Sequence, residues 1–169
     1  MSDDKPPSTG VTDDTAPEDP GPDRVLVSDE QDVPLDIGRI ASMTARALAA
    51  LGVPDQAEVS VTFVDAPRMA ELKEQALGER APTDVLSFPL DDLADPMPGP
   101  VMLGDIVICP TVARRHARAL GRTLEAEISQ LLVHGLLHLL RADHDGLRAE
   151  QAMVAEERRV LAVIGGAAA

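Results

Sequence analysis

The sequence predicts a single α+β domain in which a small mixed sheet of four strands is covered by about five helices. Four short apolar runs have the length and composition of strands, and several longer segments repeat apolar residues at helical spacing. The chain has 169 residues, of which 44% are hydrophobic, and this suits one core. A folded chain of this length buries roughly 70% of its unfolded surface, so it needs no disulfides for stability.

The four strand candidates differ in how their side chains alternate. Residues 57–64 place Val59, Val61 and Phe63 on one side and Ser60 and Thr62 on the other, which is typical of a half-buried strand. The other three are mostly apolar runs, and they span residues 24–28, 85–88 and 102–109. An acidic loop with several prolines, residues 90–100, separates the last two runs.

Helical periodicity fills most of the remaining chain. The first helix places its apolar residues on one face and is followed by Gly52. Asp65 caps the second helix, which ends at Gly78, and Thr123 caps the fourth. Besides the segment between Asp65 and Gly78, helices are predicted over residues 35–51, 111–120, 124–140 and 147–164.

The first 23 residues differ from the rest in composition. They hold five prolines, seven acidic residues and one lysine, so we expect a disordered acidic tail. The domain is then predicted over residues 24–164, followed by a flexible end at residues 165–169. The tail carries −6 of the formal net charge of −14, which leaves the domain moderately acidic.

Cysteine usage and hydropathy favour a cytoplasmic protein. Cys109 is the single cysteine, so a disulfide-built secreted scaffold is excluded, and we assign this residue no chemical role. The amino terminus lacks a basic segment followed by an apolar one. The most apolar run, residues 128–140, is shorter than the ~20 apolar residues of a membrane span. We therefore expect no signal peptide and no membrane segment.

The charge of the chain limits how it can contact nucleic acid. A formal charge of −14 disfavours nonspecific binding to a polyanion, and Phe63 and Phe88 are the whole aromatic content, so base stacking on a row of rings is excluded. Arg114, Arg118 and Arg122 recur every four residues and form a candidate RNA-binding stripe. A solvated helix face explains the same spacing equally well.

Three of the four histidines lie at the end of the fourth predicted helix and just beyond it. His134 and His138 are four residues apart, so their rings share one face and can bind one ion. His144 follows the expected helix end, and the chain must turn back at residues 141–143 for its ring to reach that ion. Three neutral imidazoles plus water or substrate are an arrangement used by catalytic zinc.

The alternative for a histidine on an apolar helix is a core residue with a satisfied hydrogen bond. This helix is apolar around most of its circumference, so we expect the rings to be partly buried and to need a partner or an ion. One divalent ion serves all three rings, attracts an anion and lowers the pKa of bound water to about 7, which favours hydrolysis. We expect one zinc per chain, although iron, nickel or cobalt would also accept imidazoles.

Three blocks of the sequence, in this order, resemble the bacterial YbeY family. They are residues 82–89 (PTDVLSFP), residues 103–110 (LGDIVICP), and residues 134–139 (HGLLHL) followed by Asp143 and His144. The resemblance runs from about Arg24 to Ile164. It implies a cytoplasmic, zinc-dependent endoribonuclease with the metal on His134, His138 and His144. It also implies ribosomal RNA and the small ribosomal subunit as partners, in processing of the rRNA ends and in ribosome quality control.

Two positions depart from the family pattern. Arg141 stands where the family usually has the glycine of a Gly-Tyr-Asp-His segment, and it is strained if the turn needs positive φ. Leu77 stands where many members have an arginine implicated in activity, and Arg80 is the nearest substitute. These departures motivate a second hypothesis, a ribosome-assembly factor in which zinc is structural and catalysis is weak or lost.

The histidine spacing is also that of the metzincin metalloproteases. Those enzymes place a glutamate base directly after the first histidine, where this chain has Gly135, so a protease ranks below a nuclease. Asp143, Asp105 and Asp84 are candidates for a base or for orienting a ligand, and capping of a turn is the simpler role for Asp84. The sequence leaves open whether bound water or the RNA 2′-hydroxyl attacks the phosphate.

Overall fold

Four strands form one mixed sheet in the computed structural model, which describes residues 21–95, 98–140 and 147–166. The strands lie in the order β1-β2-β4-β3, where β2 is parallel to β1 and β4, and β3 is antiparallel to β4 at one edge. This confirms the predicted α+β class and the mixed sheet. The strands are β1 (Val25–Glu30), β2 (Ala57–Val64), β3 (Val85–Pro89) and β4 (Val101–Ile108).

Five α-helices occur within these described ranges, as predicted, and a short 3-10 turn, Pro22–Arg24, precedes β1. Asp65 Oδ1 accepts a hydrogen bond from the Arg68 backbone N–H at 2.9 Å, and Thr123 Oγ1 accepts one from the Ala126 N–H at 3.1 Å, so both predicted caps are present. The helices are α1 (Ile37–Ala50), α2 (Ala66–Leu77), α3 (Pro110–Ala119), α4 (Leu124–Leu140) and α5 (Leu147–Gly166).

Both faces of the sheet are covered. The main core lies between the sheet and α1, α4 and α5, and Phe63, Leu136 and Val160 are fully buried in it. On the other face, Met69 of α2 and Val112 of α3 belong to a smaller apolar cluster. α4 contacts β3, β4, α1, α3 and α5, and it is therefore the central helix of the fold.

Two glycines set how closely α4 approaches the sheet. A Cβ at Gly135 of α4 would stand 3.0 Å from Cγ2 of Ile106 in β4. Gly104, with a φ of 150°, lies under Leu139 of α4 and beside the carbonyl oxygen of Phe88 in β3. Side chains at either position would push α4 and β3 away from β4, so both glycines are required for this packing.

Several predictions fall outside the described residues. They concern most of the acidic tail (residues 1–20), the turn that contains Arg141, Asp143 and His144 (residues 141–146), and the last three residues. Cys109 was predicted to end a strand and instead follows β4 as the residue before α3, where its buried side chain belongs to the smaller apolar cluster. No helix within the described ranges is both long enough and apolar enough to cross a membrane.

Candidate metal centre

His134 and His138 meet on one flank of α4, as their spacing of four residues predicts. Their Nε2 atoms are 2.9 Å apart, and the rings are arranged edge to face with centroids 4.4 Å apart. The His134 side chain is 41% exposed, and His138 lies at the surface. His138 is thus the more exposed of the two rings, because the apolar residues of α4 turn toward the sheet and α5, and both rings remain partly covered by protein.

Glu157 of α5 contacts His134 on the side opposite His138. Its Oε2 atom is 3.2 Å from Nδ1 of His134, and the glutamate side chain is only 14% exposed. An ionised carboxylate only accepts hydrogen bonds, so the ring proton of a neutral His134 resides on Nδ1. Nε2 of His134 then carries a lone pair directed toward the ring of His138, where it can accept a hydrogen bond from His138 Nε2 or bind a metal ion.

The surroundings of His138 favour its neutral form. Burial of the ring lowers its pKa below the ordinary value of 6.5, the nearby His134 lowers it further, and Glu157 partly offsets both effects. An imidazole must be neutral to bind a metal ion. The ring of His138 is therefore suited to act as a ligand.

The separation of the two nitrogens fits a shared metal ion. Two nitrogens bound tetrahedrally to one zinc at about 2.0–2.1 Å stand roughly 3.3 Å apart. The observed 2.9 Å is a few tenths shorter, and a small rotation of either ring makes up the difference. The third predicted ligand, His144, and its neighbour Asp143 lie outside the described residues. The donor set that is described thus fits zinc at two of its positions.

A second group of side chains on the described part of the chain can also hold a metal ion. It consists of Asp84, which precedes β3, His116 of α3 and Glu127 of α4, whose ligand atoms all lie within 4.8 Å of one another. His116 Nδ1 is 3.0 Å from Asp84 Oδ2, and Glu127 Oε2 is 3.3 Å from Nη1 of Arg122. This group offers two carboxylates and one imidazole, whereas the described part of the histidine pair offers two imidazoles.

The three predicted arginines do not all lie on one helix. Arg114 and Arg118 are on α3, which ends at Ala119, and neither forms an ion pair with a described residue. Arg122 lies in the turn before α4, and its guanidinium contacts the side chains of Glu127 and Gln130. Arg118 is exposed and Arg114 is half-buried, so of the two arginines on α3, Arg118 is the more accessible to a phosphate.

Among the described residues, none of the other sequence candidates forms a hydrogen bond or an ion pair with the histidine pair. Asp105 neighbours Ile106 in β4, and because Ile106 faces α4, the alternation of a strand directs Asp105 to the opposite face. Leu77 ends α2 and is 63% exposed. Arg80 is bound to Glu74 at 2.7 Å.

Residues 27–165 match the protein family described as Endoribonuclease YbeY. The chain belongs to the YbeY family. Endoribonuclease YbeY from Beutenbergia cavernae is 43% identical over 139 residues, which cover 80% of this chain and 93% of that protein. Endoribonuclease YbeY from Thermobifida fusca is 47% identical over 122 residues, which cover 70% of this chain and 79% of that protein. The resemblance carried by the three sequence blocks is therefore confirmed.

A solved structure shows that the YbeY chain described here shares its fold with a protein of distant sequence. The solution structure of TM1509 from Thermotoga maritima superposes with a TM-score of 0.61 at 23% sequence identity. The match covers 84% of this chain and 89% of TM1509. At that identity the likeness concerns the fold alone.

Proposed function

We propose that this YbeY-family chain is a zinc-dependent endoribonuclease that cleaves phosphodiester bonds in single-stranded ribosomal RNA. Membership of a family of endoribonucleases supports hydrolysis of RNA. The observation that carries the metal dependence is the pair of Nε2 atoms of His134 and His138, 2.9 Å apart on α4. The pair belongs to one of the three sequence blocks by which the family was recognised.

His134 and His138 hold one zinc per chain in this proposal, with His144 as the third ligand. Bound zinc supplies a concentrated positive charge that attracts a phosphodiester, neutralises charge on it and lowers the pKa of water. Glu157 keeps the proton of His134 on Nδ1, so that Nε2 stays available. Gly135 faces Ile106 and contributes no carboxylate, so this position does not supply the base that the metzincin proteases carry directly after their first histidine.

Arg114 and Arg118 guide the RNA backbone along α3. Both side chains lack an ion pair with any described residue, and α3 packs directly against α4. The chain has 29 acidic and 15 basic residues, so phosphate must be attracted at a local basic surface rather than by the protein as a whole.

The cellular substrate in this proposal is ribosomal RNA at the ends of the small-subunit transcript, with a further role in ribosome quality control in the cytoplasm. Family membership is the support for this assignment. Co-sedimentation of the protein with isolated small ribosomal subunits tests it. Binding is expected for the zinc-loaded wild type, and absence of binding at low salt would contradict a small-subunit partner.

Cleavage of a labelled single-stranded RNA by wild-type protein and by His138→Ala tests the catalytic proposal. The variant is expected to lose at least about 100-fold in rate, because it removes a metal ligand. Glu71→Gln is the control, since Glu71 is an exposed residue of α2 that pairs with Arg68, and it is expected to cleave like the wild type. Equal rates for His138→Ala and wild type would refute a metal-dependent mechanism at this site. Zinc bound at one equivalent without RNA cleavage would instead favour the assembly factor.

A further inference from the structure

We infer that Glu157 is a positioning residue for the metal centre and that a polar chain running from Arg122 through Gln130 fixes its carboxylate. This inference rests on the proposed function, because it assigns Glu157 a role toward a metal held by His134. Sequence reasoning did not identify Glu157 or Gln130. These hydrogen bonds become visible only in the contacts among α4, α5 and the turn that precedes α4.

The carboxylate of Glu157 bridges two side chains of α4. Its Oε1 atom accepts a hydrogen bond from Nε2 of Gln130 at 3.1 Å, and its Oε2 atom lies 3.2 Å from Nδ1 of His134. Gln130 and His134 are four residues apart and thus share one flank of α4. Each oxygen has its own donor, so the carboxylate is held in one orientation between the two helices.

Arg122 determines which way the amide of Gln130 points. Its guanidinium contacts Oε1 of Gln130 and lies 3.3 Å from Oε2 of Glu127. A guanidinium can only donate hydrogen bonds, so the amide oxygen must face Arg122 and the NH₂ group must face Glu157. The buried carboxylate of Glu127, 8% exposed, holds Arg122 in place. Gln130 therefore cannot exchange its two ends without losing a hydrogen bond.

The direction of every hydrogen bond between Arg122 and the metal ligand His134 is then fixed. Arg122 donates to Gln130, Gln130 donates to Glu157, and Nδ1 of His134 donates to the same carboxylate. The other tautomer of His134 would set a nitrogen lone pair against a carboxylate oxygen, which is repulsive. This series of hydrogen bonds thus selects the tautomer of His134 whose unprotonated Nε2 faces His138, and this is the form that a shared zinc requires.

This arrangement separates Arg122 from the two arginines of α3. Arg122 has the same four-residue spacing as Arg114 and Arg118, but its guanidinium already binds Glu127 and Gln130. Its place in the polar chain makes it a support for the metal centre rather than a contact for RNA phosphate. Loss of Arg122 should therefore weaken zinc binding more than it weakens RNA binding.

Zinc affinity provides the test, measured by competition with a chromogenic chelator on the full-length chain. Glu157→Gln is expected to weaken zinc binding about 10-fold to 100-fold while one equivalent still binds. A glutamine at 157 presents one oxygen and one NH₂ group, so it cannot accept from both Gln130 and His134. Glu71→Gln, the same change at an exposed glutamate of α2, is expected to bind zinc within about twofold of the wild type.

A second readout reports the tautomer of His134 directly. Long-range ¹H–¹⁵N correlation spectra of the zinc-free protein are expected to show the proton of His134 on Nδ1 in the wild type and a mixture of tautomers in Glu157→Gln. A purely structural role for Glu157 would lower the unfolding temperature without changing these signals. Gln130→Ala keeps the carboxylate but removes its orienting donor, and it is expected to weaken zinc binding several-fold.

His138→Ala separates a failure of this inference from a failure of the proposed function. If His138→Ala binds zinc like the wild type, the histidine pair is not the metal site and both proposals fall. If His138→Ala loses zinc while Glu157→Gln and Gln130→Ala bind it like the wild type, only the positioning role is overturned. Should Glu157→Gln fail to fold, Gln130→Ala decides alone, and unchanged zinc affinity in that variant overturns the inference.

Discussion

Gly135 of α4 lies directly against Ile106 of β4. A Cβ at position 135 would stand 3.0 Å from Cγ2, 3.2 Å from Cγ1 and 3.1 Å from Cδ1 of the isoleucine, whose side chain is fully buried. The position after the first histidine therefore faces the core and not the metal centre. A glutamate there would enter the core, so the absence of a protease-like base has a structural basis as well as a chemical one.

Gly135→Ala is expected to destabilise the protein by about 1–2 kcal/mol. Crowding in a packed core destabilises a protein by about 1–3 kcal/mol. The better helix propensity of alanine offsets at most about 1 kcal/mol of that loss. Urea unfolding measures the loss. Ile106→Val removes Cδ1, one of the three crowded atoms, so the double variant should be more stable than the two single changes predict. Strict additivity would contradict the contact.

Gly104→Ala is expected to cost more than about 3 kcal/mol, or to prevent folding. The backbone at Gly104 has a φ of 150°, and a Cβ would collide with the carbonyl oxygen of Phe88 in the paired strand β3. Gly121→Ala is the matched control, because Gly121 also has a positive φ of 66° but has no atom within 4 Å of an added Cβ. We expect that control to lose only about 1 kcal/mol. Similar losses for both variants would show that the collision is not the cause.

Local patterns predicted much of the fold because they act over a few residues. The alternation in residues 57–64 reappears as the alternating burial of β2, and Asp65 and Thr123 cap their helices as expected. The meeting of His134 and His138 also follows from local geometry, since residues four apart on a helix are neighbours.

The supports of the metal centre could not be predicted in this way. Glu157 is 23 residues from His134, and their contact depends on how α4 and α5 pack. The spacing of the arginines suggested one stripe, but α3 ends at Ala119 and the periodicity no longer applies to Arg122. Glu127, the partner of Arg122, is a buried acid on an apolar helix. A buried carboxylate needs a cation nearby, but the sequence does not show which cation supplies the charge.

Metal analysis of two histidine variants distinguishes the two groups able to hold a metal. His138→Ala is expected to lose the single equivalent of zinc, because it removes a ligand from the histidine pair. His116→Ala is expected to retain that equivalent, because His116 binds Asp84 and because Arg122 already neutralises Glu127. Plasma emission spectrometry on dialysed protein gives both values. Loss of zinc in His116→Ala with retention in His138→Ala would show that the metal site consists of Asp84, His116 and Glu127 instead.

Neutralising an arginine of α3 is expected to weaken RNA binding through charge rather than through folding. Arg118→Gln should raise the Kd for a single-stranded RNA several-fold at low salt and reduce the slope of log K against log[salt] by about 0.7, the value for one phosphate contact on a single strand. Fluorescence anisotropy over a salt series measures both quantities. Arg39→Gln is the matched control, since Arg39 is exposed on α1 beside Glu125, and its slope should equal that of the wild type. If both variants change the slope equally, RNA binding depends on the total charge of the protein and not on the surface of α3.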